Sequence, residues 1–111
     1  MTAEHLTAVL AERVLHWRST PDRLLTGKRA WIPRWRFQPL ANVEDAFQLV
    51  AAAGASYSLT ATADGTVMAQ LCVGGRTGTA LGKITAATIT VALAQSIGIN
   101  VPDELLEACQ E

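Results

Sequence analysis

Only two cysteines and two histidines occur among the 111 residues, and that scarcity removes several chemistries at once. Cys72 and Cys109 cannot make a disulfide framework, so the chain must hold itself together by packing. His5 and His16 are eleven positions apart, about three turns or ~16 Å along a helix, too far to share an ion. Positive charge is not in excess: the net charge is −1, which argues against wholesale attraction to nucleic acid or to an anionic membrane. The longest apolar stretch, from Ile84 to Ile97, is broken by Thr85, Thr88, Thr90 and Gln95. With no spanning segment and no signal peptide in view, a reducing, cytoplasmic setting is expected. Internal repeats and low-complexity tracts are absent, and no serine stands in an activating context. Non-catalytic behaviour, without cofactor or metal, is therefore the expectation.

Half of the residues are hydrophobic, enough for one domain spanning 1–111 to close a single core. Much of that half is alanine, suited to tight helix–sheet contacts. Leu6, Val9, Leu10, Val14 and Trp17 recur at helical spacing and predict an amphipathic helix over 3–17, ended by Ser19-Thr20-Pro21. Residues 20–41, with prolines at 21, 33 and 39, predict an irregular segment holding at most a short strand near Trp31. Asn42 should cap a second helix, with Glu44 and Asp45 at its positive end, Val43, Ala46, Phe47, Leu49, Val50 and Ala53 buried, and Gly54 as its stop.

A hairpin follows, and its register can be argued. A three-residue loop, Ala63-Asp64-Gly65 with Gly65 left-handed, pairs Ala61 with Val67, Leu59 with Ala69 and Tyr57 with Leu71. That places Tyr57 in the core and makes one face wholly apolar. The other face, with Ser58, Thr60, Thr62, Gln70 and Cys72, is left to solvent or a covering helix, or to a base or ribose. A third strand fits near 76–81. From about Lys83 to Ile97 a helix apolar on most sides needs two neighbours, the sheet and a second helix or subunit. A short acidic helix from Pro102 to Cys109 closes the chain. The fold class expected is α+β, a small antiparallel sheet with helices on both faces.

One cluster breaks this bland pattern. All three tryptophans and six basic residues fall between Trp17 and Arg36, against the single acid Asp22. Indole faces beside guanidinium groups suit a planar anion: rings stack, and arginines take phosphate oxygens bidentately. The competing reading is structural, with Trp17 and Trp31 or Trp35 pinning a loop while the arginines reach solvent. Gly74-Gly75-Arg76-Thr77-Gly78 allows an anion-binding nest, with Lys83 and Thr85 at the next helix start, or simply a hairpin connection. It is neither a Walker loop nor a dinucleotide fingerprint.

Three stretches carry a family resemblance: Ala11-Glu12-Arg13-Val14-Leu15-His16-Trp17; Trp35 with Pro39-Leu40-Ala41-Asn42-Val43-Glu44-Asp45-Ala46-Phe47; and Ala86-Ala87-Thr88-Ile89-Thr90-Val91-Ala92-Leu93. In this order they resemble the phage alpha-beta-alpha sandwich domain family over roughly residues 5–97. The resemblance implies a small phage- or prophage-borne intracellular protein with no catalytic motif to carry over. Joined to the cluster, it yields the expected function: a sponge for a nucleotide-derived host immune signal of the cyclic ADP-ribose or cyclic dinucleotide type. Arg29, Arg34, Arg36 and Arg76 would take phosphates, Trp31 or Trp35 would stack on the base, and Thr77 and Lys83 would complete the site. The expected partners are thus an anionic nucleotide-like molecule and further copies of the chain. The rivals are a protein-interaction or structural accessory protein using the 17–36 segment, a single-strand nucleic-acid binder and, last, a nucleotide-cleaving enzyme.

Overall fold

Asn42 caps a helix as its side chain predicts: Oδ1 accepts the backbone amides of Glu44 and Asp45 at 2.9 and 3.4 Å. In the computed structural model, which describes residues 3–20, 22–26, 30–101 and 105, three helices and two antiparallel sheets follow one another. Helix α1 spans Ala3–Val14. A minor sheet joins β1 (Arg18–Ser19), β2 (Arg23–Leu25) and β3 (Trp31–Pro33) in that order. A 3-10 turn, Arg34–Arg36, leads to α2 (Val43–Ala53). The larger sheet joins β4 (Ser56–Ala61), β5 (Val67–Val73) and β6 (Arg76–Gly82), and α3 (Thr85–Ser96) follows. The class is the expected α+β. The C-terminal acidic helix lies, apart from Leu105, outside the described residues. Among the described residues no helix is long and apolar enough to cross a membrane.

The hairpin register is the one derived from the faces: Ala61 stands opposite Val67, Leu59 opposite Ala69 and Tyr57 opposite Leu71. Thr62 N–H donates to Thr66 carbonyl at 2.9 Å across the three-residue loop, and Gly65 has φ +87°. Asp64 accepts from the Thr62 hydroxyl and from Thr66 N–H. These bonds, the Thr62 hydroxyl first, hold its carboxyl below the ordinary value.

Gly74 and Gly75, at φ +57° and +83°, form a two-residue turn between the paired Val73 and Arg76, the hairpin geometry that demands two left-handed residues. The connection reading of this loop accounts for both glycines. Gly78 serves a different purpose. It lies mid-strand in β6 against α3, and a Cβ there would stand 2.0 Å from Ala92 carbonyl oxygen and 2.8 Å from Ser96 nitrogen. With Ala80 and Gly82 at the next inward positions, β6 is a shallow trough into which alanine-rich α3 settles.

Helix α3 is buried without a break from Ala86 to Ala94. Its second neighbour is inside the same chain: α2 lies against it, and Thr90 Oγ1 donates to Pro39 carbonyl at 2.7 Å. The core centres there, on Ile89, Val91 and Leu93 with Leu6, Leu10, Leu24, Phe37, Leu49 and Leu71. The helical cover of the larger sheet lies on this face. The opposite face, with Ser58, Thr60, Gln70, Thr77 and Thr79, is exposed, so the second helical layer stands behind α3 instead of across the sheet.

Five sequence expectations need correction. Helix α1 stops at Val14, not Trp17, because His16 turns left-handed (φ +60°) and Trp17 N–H folds back to Ala11 carbonyl at 3.0 Å. The 20–41 segment is not merely irregular: its strands are two or three residues long, too short for alternation to show, and Pro33 ends an edge strand, where a missing N–H costs nothing. Val43 is 40 % exposed and Tyr57 55 %: Val43 opens α2 on its outer side, and Tyr57 sits on the edge strand β4, leaning edge-on to Phe47 at 5.4 Å. Finally, α3 begins at Thr85, after Ile84 and without a side-chain cap, so Lys83 precedes it.

Gly78→Ala should lower stability by about 3 kcal/mol, the upper end of overpacking costs, because the atoms it meets are backbone. Asn42→Ala should cost about 1 kcal/mol; urea denaturation of both variants checks the ordering. Since the Asp64 carboxyl is depressed in the folded state, its stabilisation is complete above the unfolded carboxylate range and lost as pH falls through the folded value. The melting-temperature difference between wild type and Asp64→Ala should therefore be largest at neutral pH and shrink as pH falls below the ordinary carboxylate range.

Candidate functional site: a cleft at Arg34 and Trp35

The segment after β3 is held at three points. Phe37 is buried and meets the Trp17 ring at 5.0 Å between centroids, 58° between planes. Gln38 N–H donates to Asp45 Oδ2 at 2.9 Å, tying the segment to the first turn of α2. Arg34 Nε donates to Thr20 carbonyl at 2.7 Å, across to the β1–β2 connection. With its neighbours so fixed, Trp35 projects outward and is 70 % exposed.

Between this segment and the first turns of α1 lies a cleft of about 360 Å³, lined by Glu4, Thr7, Arg34, Trp35, Gln38 and Leu40 over a floor of Leu24 and Phe37. Its walls are mostly apolar. Polar groups enter from both walls: the Arg34 guanidinium, whose Nε is already spent on Thr20, and Gln38 from the segment after β3, and Glu4 and Thr7 from α1. Among the described residues the Arg34 terminal nitrogens have no protein acceptor. The cleft can thus hold a flat ring against an indole, one anionic group at a pre-oriented guanidinium, and a hydrogen-bond donor at a carboxylate.

Two of the eight sequence-derived site residues, Arg34 and Trp35, share this cleft. Trp31 is 45 % exposed but carries the Arg23 guanidinium over its ring at 4.4 Å and is not among the lining residues. Arg36 is exposed and does not line the cleft. Arg29 lies outside the described residues. Arg76 and Thr77 belong to β6 and Lys83 follows it. Arg76 reaches the α3 C-terminus, where a Cβ added at Gly98 would meet its Nη1 at 2.8 Å, a position in which a cation complements the helix dipole. Thr77 faces a shallow hollow of about 200 Å³ on the open sheet face with Ser58, Gln70 and Cys72. The wall from α1 (Glu4 and Thr7) was missed, since nothing in the spacing ties it to a segment thirty residues on.

A broader cleft, about 650 Å³, lies where the C-terminal ends of all three helices meet, lined by Glu12, Arg13, His16, Ala53 and Ile97 among others. Among the described residues, no group of three or more histidine, cysteine, aspartate or glutamate residues is placed to hold a metal ion.

No protein-family model matches the chain, and no curated protein matches it. Among solved structures it is similar to a phage protein from Bacillus cereus, with a TM-score of 0.71 over 92 % of this chain and 93 % of that one. It shares a fold with a phage protein. At 16 % identity the likeness is one of fold alone.

Iodide quenching of tryptophan fluorescence tests the placement of the rings. Trp35→Phe should remove the largest quenchable component and Trp31→Phe a smaller one. Trp17→Phe should leave quenching nearly unchanged.

Proposed function

We propose that this is a non-catalytic binding protein of phage origin that takes one planar, anionic, nucleotide-sized group in the Arg34–Trp35 cleft. The observation that carries the reading is the pairing of a solvent-facing indole with a guanidinium immobilised by its own Nε–H bond to Thr20. Holding the guanidinium in place removes part of the ordering cost a ligand would otherwise meet. The ring would lie on Trp35, an anionic oxygen would take the Arg34 terminal nitrogens, and Glu4 would accept an exocyclic amino group of the base. Phage origin is supported by the shared fold and by the resemblance of the 11–17, 35–47 and 86–93 stretches to the alpha-beta-alpha sandwich domain family.

Size refines the choice of ligand. About 360 Å³ is near the lower limit for small-molecule sites, a match for one base with its sugar and phosphate. A cyclic dinucleotide or a cyclic ADP-ribose would engage the cleft with one of its halves. Sequestration of such a host signal, held without turnover, is the use we propose. A second reading has its own support: exposed tryptophan beside arginine in a mainly apolar cleft is also how one protein anchors on another.

Titration calorimetry with mononucleotides, cyclic dinucleotides and cyclic ADP-ribose separates them. Stoichiometric heat with the ligand recovered intact is expected. Arg34→Ala should weaken binding by about 10- to 100-fold, the loss of a charged hydrogen bond worth roughly 1.5–3 kcal/mol. Trp35→Ala should weaken it comparably, while Trp31→Ala and Arg76→Ala should leave it unchanged. No heat with any nucleotide would overturn this function in favour of the protein-docking one.

A further inference from the structure

Strand β4 is bonded on one side only. Among the described residues its sole partner is β5, and all six residues from Ser56 to Ala61 are exposed. The strand carries no charge, no proline and no bulge, the devices by which an edge strand is ordinarily kept single. The opposite edge of the same sheet is treated differently: Gln95 Oε1 accepts Thr79 N–H at 3.2 Å, so a side chain of α3 occupies the outer side of β6.

Apolar surface continues from the open edge onto the helix layer. Tyr57 and Leu59 point to that side and are exposed, and the Phe47 ring of α2 meets Tyr57 edge-on. Val43, one turn earlier on the same face of α2, is exposed as well. Unpaired backbone flanked by this band fits a second strand of the same kind. An antiparallel two-fold about Ser58 would set Tyr57 of each copy opposite Leu59 of the other. A two-fold about Leu59 would set Tyr57 opposite Ala61. Both registers keep every apolar side chain on the helix side, because antiparallel partners share a face.

We propose that two copies of this chain pair through their β4 strands across a two-fold axis, making one continuous six-stranded sheet. The uncharged edge offers nothing to select an ionic partner, whereas its apolar flank complements itself, as a two-fold interface requires. Six residues give a seam about 20 Å long. With a sheet layer and a helix layer each about 10 Å deep, the flat contact is about 400 Å² per chain, roughly half that of a standard stable complex and in the range of weak, transient pairing. The dimer is therefore a weak one, populated toward the upper end of the micromolar range. None of these residues lines the Arg34–Trp35 cleft, so pairing stands or falls separately from ligand binding.

Sedimentation velocity from about 5 to about 500 μM, spanning the affinity of so small an interface, tests it. Mass should climb from 11.8 kDa toward twice that value, and amide exchange across residues 56–61 should slow as concentration rises. Ser58→Lys and Ser58→Asp, both at an exposed position, should each remain monomeric with unchanged circular dichroism, and mixing the two variants should restore the dimer. A wild-type monomer throughout overturns the proposal and leaves the edge to an extended segment of another protein. A dimer indifferent to both charges also overturns it, placing the seam elsewhere.

Discussion

The close seat of α3 on the larger sheet is the contact from which the rest of the structure takes its positions. At Gly78 the helix backbone lies where a side chain would otherwise begin, and the alanines of α3 meet that trough without a protruding group. Burial of so continuous a helix requires every hydroxyl along it to find an acceptor. Thr88, Thr90 and Ser96 do so, on Ile84, Pro39 and Leu93 carbonyls. The Thr90 bond reaches furthest in sequence. It draws the end of the basic, tryptophan-rich segment onto the core helix and so couples the packing centre to the wall of the cleft.

That coupling explains how a proline-punctuated stretch presents two side chains in a defined way. Three very short strands would not persist alone. Here Leu24 is driven into the core, Trp17 and Phe37 brace one another, and Asp45 holds Gln38 from the start of α2. The basic residues are thereby divided. Arg23 lies over the Trp31 ring, and Arg34 gives its Nε–H to Thr20 while its terminal nitrogens face the cleft. A run that looks like one positive patch in one dimension is several separate interactions in three.

Which features were legible follows from the range of the forces involved. The Asn42 cap, the Gly54 stop and the Asp64 turn act within a few residues, and the hairpin register obeys a parity that the alternation exposes. What escaped depends on neighbours distant in sequence. Tyr57 alternates like a core residue, but alternation cannot say that β4 is an edge. Trp17 keeps helical spacing with Leu10 and Val14, yet Phe37, twenty positions on, claims its ring. The minor sheet offers too few residues per strand for any period to emerge. Glu4 and Thr7 carry no mark that relates them to Trp35, so half of the cleft was invisible.

The Gln95 amide that stoppers Thr79 has a consequence for how this molecule can grow. A sheet with two accessible margins invites open-ended addition, copy after copy, and at high expression that path leads toward fibres. Occupying part of one margin with a residue of the core helix favours a single union over many. A sheet whose other edge is uncharged is in this way biased toward pairs and away from filaments.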